Sequence, residues 1–204
     1  MIQEVSQEIK NTVLGSIRDL HTALPGKIIS FNPENCEADI LPFGKFIKPD
    51  NSLMDYPLLN RVPVYVMQGC DQTATIAYPI NPGDECLIIF SEQTLDTWRT
   101  KAESSTDLKF DLSNAVAIIG MFAKPNPLVK EACLDNSIII EKDGERIRLK
   151  KGETYIKDTS GQSIHLKPEG MFLKAKNLTL ESAGFIDISA SGNVAISGSR
   201  IDLN

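Results

Sequence analysis

Histidine is nearly absent. His21 and His165 are the only two in 204 residues, and neither sits beside a nucleophile signature. That scarcity leaves no Ser/His/Asp set to defend and disfavours a metal centre. Tryptophan is scarcer still, with Trp98 alone, and residues 20–130 add only three tyrosines and scattered phenylalanines. A saccharide groove built on clustered aromatics is therefore disfavoured. The four cysteines, Cys36, Cys70, Cys86 and Cys133, form no CxxC pair, so reduced and mostly buried thiols are expected. No phosphate-binding glycine loop is present. Asp84 and Glu85 follow a Pro-Gly turn and read as turn groups, not as a glycosidase pair. No catalytic residue, metal ligand or cofactor is expected, and the chain is not expected to be an enzyme.

Basic charge is also short. The formal net charge is −6, whereas a nucleic-acid binder is usually basic. No stretch of eighteen apolar residues could form a transmembrane helix. The start MIQEVSQEIK lacks the basic-then-apolar layout of a signal peptide. Synthesis in a host cytoplasm is expected, with any exit by another route.

What the chain does have is a two-residue apolar stitch in its last third. The pairs are Ile138/Ile140, Ile147/Leu149, Thr154/Ile156, Ile164/Leu166, Met171/Leu173, Leu178/Leu180, Ile186/Ile188, Val194/Ile196 and Ile201/Leu203. One residue separates the members of each pair, so both point to one side of a strand. Glycines at 144, 152, 161, 170, 184, 192 and 198 lie between pairs as turn residues. Two apolar residues per short strand cannot offset the cost of ordering it, so the repeat must stack on itself or on copies of itself. The pattern is sparse for a single-chain solenoid. It suits several chains winding together, and a three-sided β-prism closes the lateral edges. Nine strands per face would give a shaft about 43 Å long.

The intervening positions of this repeat read as a solvated outer face, with Glu141, Arg146, Arg148, Lys150, His165 and Lys167 among them. Alternation sends His165 outward, so it is no metal ligand. From residue 131 on, ten basic and eleven acidic side chains leave the segment nearly neutral. Toward the end, Ser182, Ala183, Ser189, Ala190, Ser191, Ala195, Ser197 and Ser199 replace long charged residues, which suggests a slimmer shaft.

The rest of the chain divides as follows. Residues 1–20 place Ile2, Val5, Ile9, Val13, Ile17 and Leu20 at helical spacing, an amphipathic helix whose stripe needs a partner. Residues 21–123 read as a small closed barrel. Its expected strands are Lys27–Phe31, Cys36–Leu41, Val62–Met67, Thr75–Tyr78, Glu85–Phe90 and Ala115–Met121. Residues 42–61 read as a long excursion, and a short helical turn is expected near Thr94–Thr100. Residues 124–136, with Pro125 and Pro127, read as a connector, and residues 137–204 as the repeat.

The segments LPGKIISFNPENCEADILP, VPVYVMQG, YPINPGDECLIIFSEQTLDTW and DLSNAVAIIGMF resemble the N-terminal domain of phage baseplate central spikes. The C-terminal repeat looks like the triple-stranded β-helix of the same spikes, so the resemblance covers roughly residues 20–204. It implies a mainly β chain: an N-terminal helix, a small barrel of the oligonucleotide/oligosaccharide-binding (OB) type, and an intertwined triple-stranded β-helix. It further implies a homotrimer in the virion or a phage-tail-like particle, seated on a baseplate hub protein and driven through the target cell envelope when the sheath contracts. The paired residues from Ile138 to Leu203 would form the trimer core. Many such spikes end in a His-x-His tip that binds iron; this chain has no such pair. A blunt end would then accept a separate tip-capping protein. The alternative function is a trimeric receptor-binding adhesin or tail fibre, which would usually carry a larger terminal binding domain.

Overall fold

The computed structural model describes residues 2–18, 20–48, 50–101 and 109–201. The chain is mainly β and forms two compact units, residues 1–125 and 126–204.

The first unit opens with helix α1 (Ile2–Arg18), on which Val5, Ile9 and Val13 are all exposed. Strands β1 (Ala23–Asn32) and β2 (Glu37–Pro42) follow, then the small hairpin β3 (Lys45–Ile47) and β4 (Leu53–Asp55). Next come β5 (Leu59–Tyr65), a second small hairpin of β6 (Met67–Gly69) and β7 (Ala74–Ile76), and β8 (Glu85–Phe90). Helix α2 (Asp96–Thr100) and a 3-10 turn (Leu112–Asn114) lead into β9 (Ala115–Ile119).

Five of these strands close into a barrel in the order β1-β2-β5-β9-β8. Closure depends on β1, whose ten residues serve two neighbours. Gly26–Asn32 pairs with β2, and Ala23–Lys27 pairs with β8. All pairings are antiparallel except β5 with β9. Register shifts in β1/β2 and β2/β5 bend the strands, as barrel closure requires.

Alternate residues point inward and make the core: Ile28, Ala38, Ile40, Leu59, Val62, Val64, Cys86, Ile88, Phe90, Ala115 and Ala117. Gly26 belongs to this wall. A Cβ there would lie 2.7 Å from Ile88 Cδ1 and 2.9 Å from Ile40 Cγ2, so the close approach of β1 needs glycine. Burial pushes the Cys86 thiol up to a pKa of about 11.

The expected β8 matches in both bounds, because its apolar run Cys86–Phe90 and the turn before it are both strong signals. That turn is held by its own groups. Asn81 N–H donates to Asp84 Oδ2 at 2.8 Å, and Gly83 N–H donates to the Ile28 carbonyl at 2.9 Å. Glu85 Oε2 accepts from Ala123 N–H at 2.7 Å. Both carboxylates therefore serve turns.

Several expectations are corrected. The strand expected at Thr75–Tyr78 belongs to a two-stranded hairpin outside the barrel. The 42–61 excursion contains the β3–β4 hairpin and the start of β5. Cys36 lies in the β1–β2 turn with φ +54 and is half-buried, while Cys70 and Cys133 are exposed. Only Cys86 fits the picture of buried thiols. The aromatics also cluster. His21 lies 6.2 Å from Phe46, 5.8 Å from Tyr56 and 5.8 Å from Phe90, and Phe46 lies 6.4 Å from Tyr56. The rings meet tilted or edge-on, so they pack on one another.

The second unit begins with helix α3 (Pro127–Asp135), where a connector was expected. The cause is local. Asn126 Oδ1 accepts from Leu128 N–H at 2.9 Å as an N-cap, Pro127 takes the first helical turn, and Asn136 closes the end in the left-handed conformation. Five strands follow: β10 (Ser137–Lys142), β11 (Glu145–Lys150), β12 (Glu153–Lys157), β13 (Ser163–Lys167) and β14 (Gly170–Lys174). They pair consecutively and antiparallel in one sheet. Residues 175–201 form no strand among the described residues.

Candidate functional site

The register of the five-stranded sheet brings the apolar pairs into two files. Ile138 faces Leu149, Leu149 faces Thr154, Thr154 faces Leu166, and Leu166 faces Met171. Beside them, Ile140 faces Ile147, Ile147 faces Ile156, Ile156 faces Ile164, and Ile164 faces Leu173. All ten residues share one side of the sheet, because pairing partners and i, i+2 neighbours point the same way. Among the described residues nothing buries this side: the nine apolar members are exposed, from 38 % at Ile164 to 63 % at Ile138, and Thr154 is half-buried.

The other side carries Ile139, Arg148, Tyr155, His165 and Phe172 in one file. It is less open to water than the solvated face expected for it. Helix α3 packs against β10, within the same unit, and supplies acids to this side. Arg146 pairs with Glu131 and with Glu141. Asp135 accepts from Lys150 at 2.5 Å and lies 3.5 Å from Arg148. Glu153 accepts from Arg148 at 2.9 Å and meets His165 Nε2 at 2.6 Å. The hydrogen bond from Lys150 holds the Asp135 carboxyl below the usual carboxylate range, and His165 does the same for Glu153. His165 also leans on Tyr155, with ring centroids 4.8 Å apart. Its polar partner is thus a carboxylate of the same sheet.

The sheet has its charged side clamped by a helix and its apolar side bare, which is the inverse of an ordinary half-buried sheet. Contiguous apolar faces left open in this way are the kind of surface at which proteins dock on other surfaces. Intertwining of chains was expected throughout the repeat, yet consecutive strands of one chain satisfy one another's backbone from Ser137 to Lys174. Of the remaining pairs, Leu178, Leu180, Ile186, Ile188, Val194, Ile196 and Ile201 are exposed, at 49–65 %. Leu203 lies outside the described residues.

On the barrel, Glu37 pairs with Arg61 at 3.1 Å and with Arg99 at 3.3 Å, beside the exposed Trp98. Asp39 accepts from Arg61 N–H at 3.0 Å and Ser30 Oγ at 2.8 Å, which hold its carboxyl below the usual range. Among the described residues, no group of three or more His, Cys, Asp or Glu side chains is placed to hold a metal ion. None of the helices there is long and apolar enough to cross a membrane.

A closed five-stranded barrel of OB-like form and an antiparallel sheet with one apolar face define a mainly β protein. The family model described as the phage protein Gp138 N-terminal domain matches residues 24–120, the span of the barrel strands β1 to β9. The similarity supports a phage structural protein associated with the virion. No curated protein matches the chain.

Proposed function

We propose that this chain is the central spike of a contractile phage tail or phage-tail-like particle. Three copies bring their apolar sheet faces together into a shaft. The barrel seats the trimer on a baseplate hub protein, and the shaft is pushed through the target envelope on sheath contraction. The reading rests chiefly on one sheet face of nine apolar residues and Thr154, which is laid out in register with its apolar members exposed in the single chain. The match of the barrel to a phage domain supports it. A piercing part needs stiffness, and a prism of three hydrogen-bonded sheets around a dry core supplies it. The residues of the core are the apolar pairs from Ile138 onward.

Sedimentation of the full chain tests the assembly: a trimer is expected, and a monomer at micromolar concentration would sink the proposal. Electron microscopy of particles carrying a label on this chain tests the location. Label on the tail axis at the baseplate is the expected result, whereas label at the ends of lateral fibres would favour the adhesin.

A further inference from the structure

Strands β8 and β9 are apolar on both faces. Cys86–Phe90 and Ala115–Ile119 each run without a polar residue. Uninterrupted runs of this kind mark strands covered on both sides, whereas a strand with one wet face alternates. The inner face is covered: Cys86, Ile88, Phe90, Ala115 and Ala117 lie in the barrel core. On the outer face, register lines up Ala23, Ile89 and Val116 in one file across β1, β8 and β9. A second file joins Pro25, Leu87, Ile118 and Tyr65 across β1, β8, β9 and β5. Ile89, Ile118 and Tyr65 in these files are 36–56 % exposed. The wall around β2 differs. There Ser30 donates to Asp39, and Glu37 pairs with Arg61. The barrel thus has a polar side and a bare apolar side.

The same unit carries a second apolar surface of matching form. Helix α1 ends at Arg18, shortly before β1 begins at Ala23, and its stripe Val5, Ile9 and Val13 is 51–60 % exposed. A 17-residue helix alone in water is marginal, so its stripe needs something to pack on. It does not lie on its own barrel's wall, since stripe and wall are both exposed in the single chain. We infer that the outer wall of β8 and β9 is the docking site for helix α1 of a second copy. The dimensions agree. The helix is about 25 Å long and about 10 Å wide, and four strands about 4.8 Å apart span about 14 Å. Helix and wall together lose on the order of 1,000 Å² of surface, the lower bound of a specific interface. Stripe and wall are different patches, so the contact is head-to-tail. Such a contact leaves no patch unused only when it closes into a ring, and a threefold rotation closes it. Each copy then gives its helix to one neighbour and receives the helix of the other. The barrels are held together by this contact, apart from the repeat. The inference rests on the trimeric reading proposed above.

Cross-linking of the full-length protein, run beside sedimentation, tests the docking. Two forms of the chain with different tags are co-expressed, and only one carries photoreactive benzoylphenylalanine in place of Ile118. Irradiation of the mixed trimer should join the two forms, with the bond mapping to residues 2–18 of the form that lacks the photoreactive group. In hydrogen exchange, α1 amides of the wild type should exchange on the order of 100-fold more slowly than unstructured chain. Ile118→Asp should remove that protection and leave the barrel strands protected, because Ile118 lies outside the buried core. A bond to α1 of the same chain alone would overturn the second copy as occupant. A bond between forms that maps outside residues 2–18 would overturn the helix as occupant. A trimer with no cross-link, or with α1 unprotected, would overturn the docking and leave the spike intact. Protection of α1 that survives Ile118→Asp would do the same. A monomeric wild type would overturn the docking and the trimeric spike together.

Discussion

The barrel and the repeat use the same alternation of apolar and polar residues to opposite ends. In the barrel, the eleven residues of the apolar core between Ile28 and Ala117 are buried, because β1 pairs with both β2 and β8 and the sheet closes on itself. In the described part of the second unit, residues 126–201, no residue is buried. The five-stranded sheet there is as regular as the barrel, yet it stays open and keeps nine apolar residues of one face in water. Curvature makes the difference. Register shifts bend β1 and β2 into a cylinder, whereas the ladder from Ser137 to Lys174 runs without a shift. The barrel core is therefore closed within one chain, whereas the sheet keeps a face that only another surface can complete.

The sharpest way to break this contrast is to charge the repeat. Ile188→Asp should abolish an SDS-resistant trimer, if the wild type shows one on gels, and leave barrel melting unchanged. Survival of that trimer would mean Ile188 does not face a shared core. The converse change hollows the barrel: Ile88→Ala should cost about 2–5 kcal/mol of barrel stability, read from denaturant unfolding, because Ile88 is fully buried. Next in size is Gly26→Ala, at about 1–3 kcal/mol, because the new methyl meets Ile88 and Ile40. An unchanged midpoint would show that the wall has more slack than the 2.7 Å approach implies.

The smallest effect is acid loosening of the helix clamp. Asp135, at the end of α3, has a carboxyl held below its usual range by the hydrogen bond from Lys150, so its contribution to the clamp is present above that range. It is lost as pH falls through it, below about pH 4. Pepsin at pH 3 should cut between α3 and β10 before it cuts the hairpins of the sheet. Early cutting within the hairpins would assign the clamp no protective role.

Legibility in the sequence followed signal strength. Glu85–Phe90 was readable because a short apolar run, Cys86–Phe90, follows an Asn-Pro-Gly-Asp turn. The apolar side of the sheet was readable because paired residues at i, i+2 must share a face. Helix α3 was missed although its signal was present: Asn126-Pro127 is an N-cap followed by a first-turn proline, and two nearby prolines suggested a connector. The aromatic nest around His21 was not readable, since Phe46, Tyr56 and Phe90 are brought to it by the β3–β4 hairpin and the barrel wall. The helix acids Glu131 and Asp135 carry no mark of their partners either. Arg146 and Lys150 each lie fifteen residues away.

The sequence by itself determined which side of each strand is apolar and where one chain turns back on itself. Both follow from local rules, the two-residue period of a strand and the positive φ that Asp143-Gly144 supplies. Only the tertiary structure decided which apolar faces are used up within the chain. Closure and register are long-range pairings, and they bury Ile28, Ile40 and Ile88 while leaving Ile138, Ile140 and Ile147 in water.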